Sequence, residues 1–244
     1  LQATPFALEL IEQTRPILRG IQRALSARDP FDPAISRRVF RLGAPDFAVG
    51  LFNRLVSALR AEAPGAAIEW TGPRETMLLD VAEGLTDFAI APATLPVPDG
   101  VVASPIGALG WRCFARHDHP SFSRWGRAAW SRWPHLVVRV GDQLAGPVDA
   151  AAAVVGIERR IAAWVPNFLA VAPVLAAGDL LATLPALSLA VTGAHYELTA
   201  REVPFPLPPI PHVLLWSAAR TNDPEVKWLR DKLLPIARDE FALS

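Results

Sequence analysis

The sequence predicts an α/β protein built as two lobes, and three observations lead there. First, 244 residues with 51% hydrophobic content are long for one compact domain and sufficient for two smaller cores. Second, strand-like and helix-like segments alternate along the chain, the pattern of a mostly parallel sheet covered on both faces. Third, Pro204, Pro206, Pro208, Pro209 and Pro211 crowd one short stretch. So many prolines are expected outside a sheet, as a stiff extended crossing between lobes.

The first element is an amphipathic helix over residues 1–27. Thr4 is its expected N-cap and Pro5 its first helical position. Leu10, Ile17, Ile21 and Ala24 share one stripe, with Leu8, Ile11, Leu18 and Leu25 beside it, and Pro16 is expected to kink it. The stripe suits either packing on its own domain or pairing with a partner chain. The Pro-bearing segment 29–33 separates this helix from the rest of the chain.

The strand–helix rhythm then begins. A strand is expected over 39–44 with Phe40 and Leu42 on one face, then a helix over 47–61 with Phe47, Leu51, Leu55 and Leu59 at helical spacing. Pro64-Gly65 turns the chain into a strand over 67–71. A short helix over 75–83 stops at Gly84, and a third strand covers 87–91. The second half opens near Trp111. Strands are expected over 111–116 and 136–140, separated by a Trp-rich amphipathic segment. Helices come next over 147–155 and 168–176, then a short apolar strand over 180–184. After the prolines come a strand over 212–217 and a last helix over 223–241, capped by Asp223 and opened by Pro224.

Charge and chemistry narrow the function. The 24 Lys and Arg balance 24 Asp and Glu and are scattered, unlike a nucleic-acid-binding surface. The single cysteine, Cys113, excludes an internal disulfide and leans toward a reducing, cytoplasmic compartment. No secretory signal is legible, no apolar run approaches a bilayer-spanning length, and no membrane partner is expected. The chain does not open with Met and reads as a piece of a longer protein. No nucleophile elbow, phosphate-binding loop or zinc motif is present, so no cofactor, metal or catalytic residue is expected. His117 and His119 lie in a loop before Pro120 and lack further ligands nearby. Cys113 reads as a small buried strand residue, and Trp125, Trp130 and Trp133 as packing.

The order of local motifs resembles the LysR-type transcriptional regulators. Residues 1–27 are similar to that family's linker helix. Phe31-Asp32-Pro33-Ala34 through Phe40-Arg41-Leu42 resembles its entry into the first strand. Leu59-Arg60-Ala61-Glu62-Ala63-Pro64-Gly65 resembles the end of its first sensor helix. Gly84-Leu85-Thr86-Asp87-Phe88-Ala89-Ile90 resembles the strand before the first lobe-to-lobe crossing. Arg116-His117-Asp118-His119-Pro120 resembles a loop of the second lobe. Asp223-Pro224 with Trp228-Leu229-Arg230 resembles the last helix of the branch holding nodulation and aromatic-degradation regulators. Each motif alone is common; six in this order and spacing are specific.

The resemblance implies a type 2 periplasmic-binding-protein-like fold of two Rossmann-like lobes after a linker helix. Its expected boundaries are 1–29 for the linker, 30–108 with 212–244 for lobe I, and 109–211 for lobe II. It further implies a homodimer or tetramer, with DNA bound only through a winged helix-turn-helix outside this chain. A small-molecule effector would sit between the lobes, off the carboxyl ends of the strands. The expected contacts are Pro45, Asp46 and Phe47 after the first strand, Pro92 and Ala93 after the third, and Val140 and Gly141, Asn167 and Phe168, and Thr183 in lobe II. Pro45 removes a donor and Asp46 can cap the following helix, in a turn where many family members carry Ser or Thr. Asn167 can donate and accept, and Phe168 can stack on a flat ligand, although capping and core packing explain both equally well. So apolar a set suits an aromatic or mixed apolar–polar effector, with or without a carboxylate, over a sugar phosphate. Two alternatives stay open: a transport solute-binding protein of the same fold, and an enzyme that would need Asp46 and Asp142 as an acid–base pair.

Overall fold

The computed structural model describes residues 31–139 and 146–242, together with Thr4, Phe6, Leu10, Thr14, Ile17, Leu18, Gly20 and Ile21. Most of the expected first helix therefore lies outside the described residues, as do Val140, Gly141 and Asp142. The described positions from Phe6 to Ile21 are helical. Leu10, Ile17 and Ile21, which share a stripe, are all exposed.

Lobe I is a five-stranded sheet in the order β2-β1-β3-β10-β4, made of β1 (Val39–Gly43), β2 (Ala67–Thr71), β3 (Phe88–Pro92), β4 (Val101–Leu109) and β10 (Ile210–Ser217). The first three strands run parallel, β10 is antiparallel to β3, and β4 is antiparallel to β10. Phe40 and Leu42 turn to one face, as their alternation requires. There they meet Leu51, Leu55 and Leu59 of α1 (Val49–Glu62) and Val226, Leu229, Leu233, Ala237 and Phe241 of α6 (Pro224–Phe241). Asp223 caps α6 by accepting from the Glu225 and Val226 N–H groups at 3.0 and 3.4 Å. Pro235 interrupts the helix on its exposed side, where water can serve the carbonyl left without a donor. The opposite face of the sheet is covered by α2 (Met77–Ala82) through Met77 and Val81.

Lobe II repeats this order with different strands. β6 (Pro134–Val138) runs parallel to β7 (Arg160–Val165), and β5 (Trp111–Arg116) lies between β8 (Ala182–Pro185) and β9 (Leu198–Glu202), antiparallel to both. One parallel bridge, His135 to Leu181, joins the two pieces, giving the sequence β7-β6-β8-β5-β9. The Leu136 N–H donates to the Leu181 carbonyl at 2.8 Å, and the Leu181 N–H to the Pro134 carbonyl at 2.9 Å. α3 (Arg127–Arg132) and α4 (Pro147–Val154) contribute Trp130, Val148 and Ala152 to one core, and α5 (Val171–Ala176) contributes Val171, Ala172 and Leu175 to another.

Three strands, β4, β7 and β9, are not expected from the sequence. β4 carries Pro105 and Gly107, which signal a break. Gly107 adopts φ +143, and a side chain there would meet the Phe241 carbonyl oxygen at 2.6 Å, so the strand is shaped around the end of α6. The expectation that all five clustered prolines lie outside a sheet is also corrected. Pro211 is the second residue of β10 and pairs with Ala108. It is tolerated there because proline is acceptable near a strand's start, and its carbonyl still accepts from the Ala93 N–H at 2.8 Å.

The lobes are joined twice, from β4 through Gly110 into β5, and from β9 through the proline-rich stretch into β10. The Trp111 indole N–H donates to the Pro208 carbonyl at 2.9 Å, tying one crossing to the other. The exit of β8 is held at the same place, where the Ala186 N–H donates to the Gly110 carbonyl at 2.8 Å. Leu187, next in the chain, is buried in the lobe I core.

Candidate effector cleft

The chain leaves β1 at Ala44, Pro45, Asp46 and Phe47. The Ala44 carbonyl accepts from the Trp70 indole N–H at 2.9 Å, which pins the turn to β2. Asp46 does not cap the adjoining helix: α1 has Ala48 at its N-cap and no side-chain cap bond. Instead Asp46 Oδ2 accepts from the Leu169 N–H of lobe II at 2.8 Å. Its neighbour Phe47 meets Phe168 edge to face, with ring centroids 5.0 Å apart. Two turns separated by more than a hundred residues of chain thus touch through two successive residues each.

The expected residues fall into three groups. Asp46, Phe47 and Phe168 are brought together. Asn167 is beside them, but its Oδ1 accepts from the Ala170 N–H at 2.9 Å and so braces its own turn. Pro45 sits in the same lobe I turn, and its carbonyl accepts from the Ala48 N–H at 3.0 Å. Pro92 and Ala93 end β3 near the crossing: Pro92 pairs with His212, Ala93 is bonded to Pro211, and Ala93 is exposed. Thr183 is buried inside lobe II, where its hydroxyl accepts from the Trp130 indole N–H at 2.9 Å.

One participant, Leu169, is missed by sequence reasoning, and one exposed cation at the end of a lobe II strand, Arg139, is not singled out by it. Leu169 contributes only its backbone N–H, for which no side-chain signal exists. Arg139 comes just after β6 and is held by its N–H to the Val165 carbonyl at 2.9 Å. It is exposed, lies over the Trp164 ring at 4.8 Å, and forms no ion pair among the described residues. The adjacent Val137 and Val138 make the position read as plain strand.

Behind this rim, lobe II buries a histidine and a cysteine whose burial favours their neutral forms. His135 is fully buried; its Nε2–H donates to the Trp130 carbonyl at 2.8 Å, and its ring meets the Trp130 indole edge to face. A carbonyl can only accept, which fixes the tautomer. Burial pushes the His135 pKa down to about 4 and the Cys113 thiol up to about 12. Neither is a general base or nucleophile near neutral pH. Trp125 donates to the Glu202 carbonyl at 2.8 Å, so the Trp-rich segment serves packing. His119 accepts from the Ser121 N–H and caps a short 3-10 turn. No cluster of three metal-ligating side chains occurs among the described residues. A concavity of about 320 Å³ lies at the other end of the lobe II strands, lined by Arg132, Trp133, Pro134, Arg160 and Asp179, and holds none of the expected site residues.

Comparison with known proteins agrees with this fold. The family model described as the LysR substrate binding domain matches residues 35–237. The HTH-type transcriptional activator NagR of Ralstonia sp is 33% identical over 240 residues, covering 97% of this chain and 79% of that protein. Among solved structures, the probable transcriptional regulator PA0477 from Pseudomonas aeruginosa superposes with a TM-score of 0.80 at 26% identity, covering 95% of this chain and 78% of that one. The effector binding domain of QuiR in complex with shikimate gives a TM-score of 0.67 at 14% identity, over 84% of this chain and all of that one, a likeness of fold. With the family model spanning most of its length, the chain belongs to the LysR-type transcriptional regulators and carries their periplasmic-binding-protein-like effector-binding domain.

Proposed function

We propose that the chain senses a small molecule at the facing turns 44–47 and 167–170, with Pro92, Ala93 and Arg139 at the rim. The observation that carries this reading is the meeting of Asp46 and Phe47 with Leu169 and Phe168 across the lobes. The aromatic pair and the alanine and proline neighbours favour an aromatic or mixed apolar–polar effector. Arg139 offers a cation for a carboxylate. On this reading the functional units are 30–108 with 212–244 as lobe I, 109–211 as lobe II, and 1–29 as a linker helix. The exposed Leu10, Ile17 and Ile21 stripe would pair with a second copy. The ligand acts without being chemically changed; a coupling of about 1–3 kcal/mol between effector affinity and assembly geometry is sufficient. Membership in a regulator family supports this over transport or catalysis.

The test is a thermal-shift screen of aromatic acids, aliphatic acids and sugar phosphates, with amide exchange on any hit. Aromatic acids should raise Tm, with stabilisation of about 2.7 kcal/mol at a hundredfold excess over Kd, and should slow exchange in both turns. A screen in which only sugar phosphates stabilise the chain would defeat the proposal.

A further inference from the structure

Asp46 is a carboxylate already seated where a carboxylate ligand would compete for a donor. Three observations combine. α1 does not use it as a cap. Its Oδ2 takes the Leu169 N–H at 2.8 Å, a donor belonging to the other lobe. The lobe II turn is braced independently through Asn167 Oδ1 and the Ala170 N–H at 2.9 Å, so the bond to Asp46 is not needed to shape that turn. The adjoining Phe47–Phe168 contact, with Phe47 only 6% exposed, holds the two turns at this separation.

We propose that Asp46 is the charge-selecting residue of the cleft, an internal stand-in for an effector carboxylate that links the lobes in the free protein. This assignment rests on the cleft being the sensing site. An incoming monocarboxylate presents the same two oxygens and the same charge as Asp46, so the two compete for the Leu169 N–H and repel each other while both are near it. A neutral ligand of the same shape meets no such repulsion. Asp46 therefore sets a threshold that an anionic effector crosses only by displacing it, and displacement undoes the free protein's polar link between lobes.

The whole chain is compared as wild type, Asp46→Asn and Asp46→Ala, using benzoate and its neutral isostere benzamide as probes. Two readouts are taken, residue-resolved amide exchange without ligand and binding by calorimetry. In Asp46→Ala the Leu169 amide should exchange at least tenfold faster, while the Ala170 amide stays unchanged. Asp46→Asn, which keeps an acceptor, should preserve most of the Leu169 protection. Benzoate should bind both variants at least fivefold more tightly than wild type, with benzamide changing less than twofold. Equal Leu169 exchange in wild type and Asp46→Ala overturns the proposal. So does a benzoate gain no larger than the benzamide gain, or no benzoate binding in any of the three proteins. Failure of the cleft reading is a different result: the probe binds, but its protection falls outside turns 44–47 and 167–170.

Discussion

The two lobes share a strand order and differ in what secures it. Each has three parallel strands and then two antiparallel ones, β2-β1-β3-β10-β4 in lobe I and β7-β6-β8-β5-β9 in lobe II. In lobe I every neighbouring pair is laddered, and the strand starts are fastened by charge. Asp87 accepts from Arg38 at 2.7 Å and from the Arg41 N–H at 2.8 Å, and also pairs with Arg220, whose guanidinium reaches on to Asp223. In lobe II the parallel and antiparallel parts meet at one bridge; the buried groups beside it include the neutral His135, Trp130, Thr183 and Cys113, with a partly buried ion pair nearby, Arg159 with Asp149 at 2.7 Å. One architecture is thus locked in one half by a buried carboxylate shared between two arginines, and in the other by indole and imidazole contacts beside one two-residue ion pair. The halves should respond to different perturbations.

Removing the ionic lock is the harshest way to test that contrast. Asp87→Asn leaves the Arg38 and Arg220 guanidiniums facing a neutral group in a buried setting, at a cost of about 3–5 kcal/mol. Calorimetry should record a loss of stability of that order; a change under about 1 kcal/mol would show that lobe I does not depend on its charges.

Acid should act on lobe II. His135 titrates near 6.5 when unfolded and is held at about 4 when folded, so between those values the unfolded chain binds more protons. Stability therefore falls as pH drops from about 6.5 to about 4, by about 3 kcal/mol from this residue. Its Nδ1 is buried and has no partner among the described residues to receive the added proton's hydrogen bond. His119, also in lobe II, and His212, in lobe I, are shifted downward by burial too and add in the same direction. Denaturant titrations at several pH values should show a shallower decline in His135→Gln than in the parent; parallel curves would remove His135 as the cause.

The smallest expected effect separates packing from hydrogen bonding in lobe II. Trp130→Phe with Thr183→Val removes both partners of the indole–hydroxyl bond. It should cost less than the sum of the two single changes, by about 1 kcal/mol for the one shared bond. Additive losses in the double-mutant cycle would show that the bond contributes nothing beyond the two side chains.

The periodic parts of this architecture are legible in the sequence. Leu51, Leu55 and Leu59 repeat at helical spacing, Phe40 and Leu42 alternate, and the Asp223-Pro224 pair marks a helix start; each signal is local, and each element forms as its pattern predicts. β4 is hidden because its Pro105 and Gly107 obey the end of α6, a tertiary demand with no local trace. β9 is hidden because its Ala200, Arg201 and Glu202 are exposed on an edge strand and carry little apolar alternation. At the cleft, the sequence singles out Asp46, Phe47 and Phe168, but helix statistics point Asp46 at its own helix. Its true partner is a backbone N–H 123 positions away, and backbone groups are alike in every sequence. Thr183 is placed on the right strand, but its hydroxyl is engaged by Trp130 in the lobe's interior.

Leu187 has a last implication for mechanics. A side chain just past a lobe II strand lies in the hydrophobic interior of lobe I, beside the stapled crossings. It works as a ball in a socket. A wide gape between the halves would pull it into water, whereas rolling about it keeps it dry. Of the relative motions open to the lobes, a turn about this seat is accordingly the one that exposes least apolar surface.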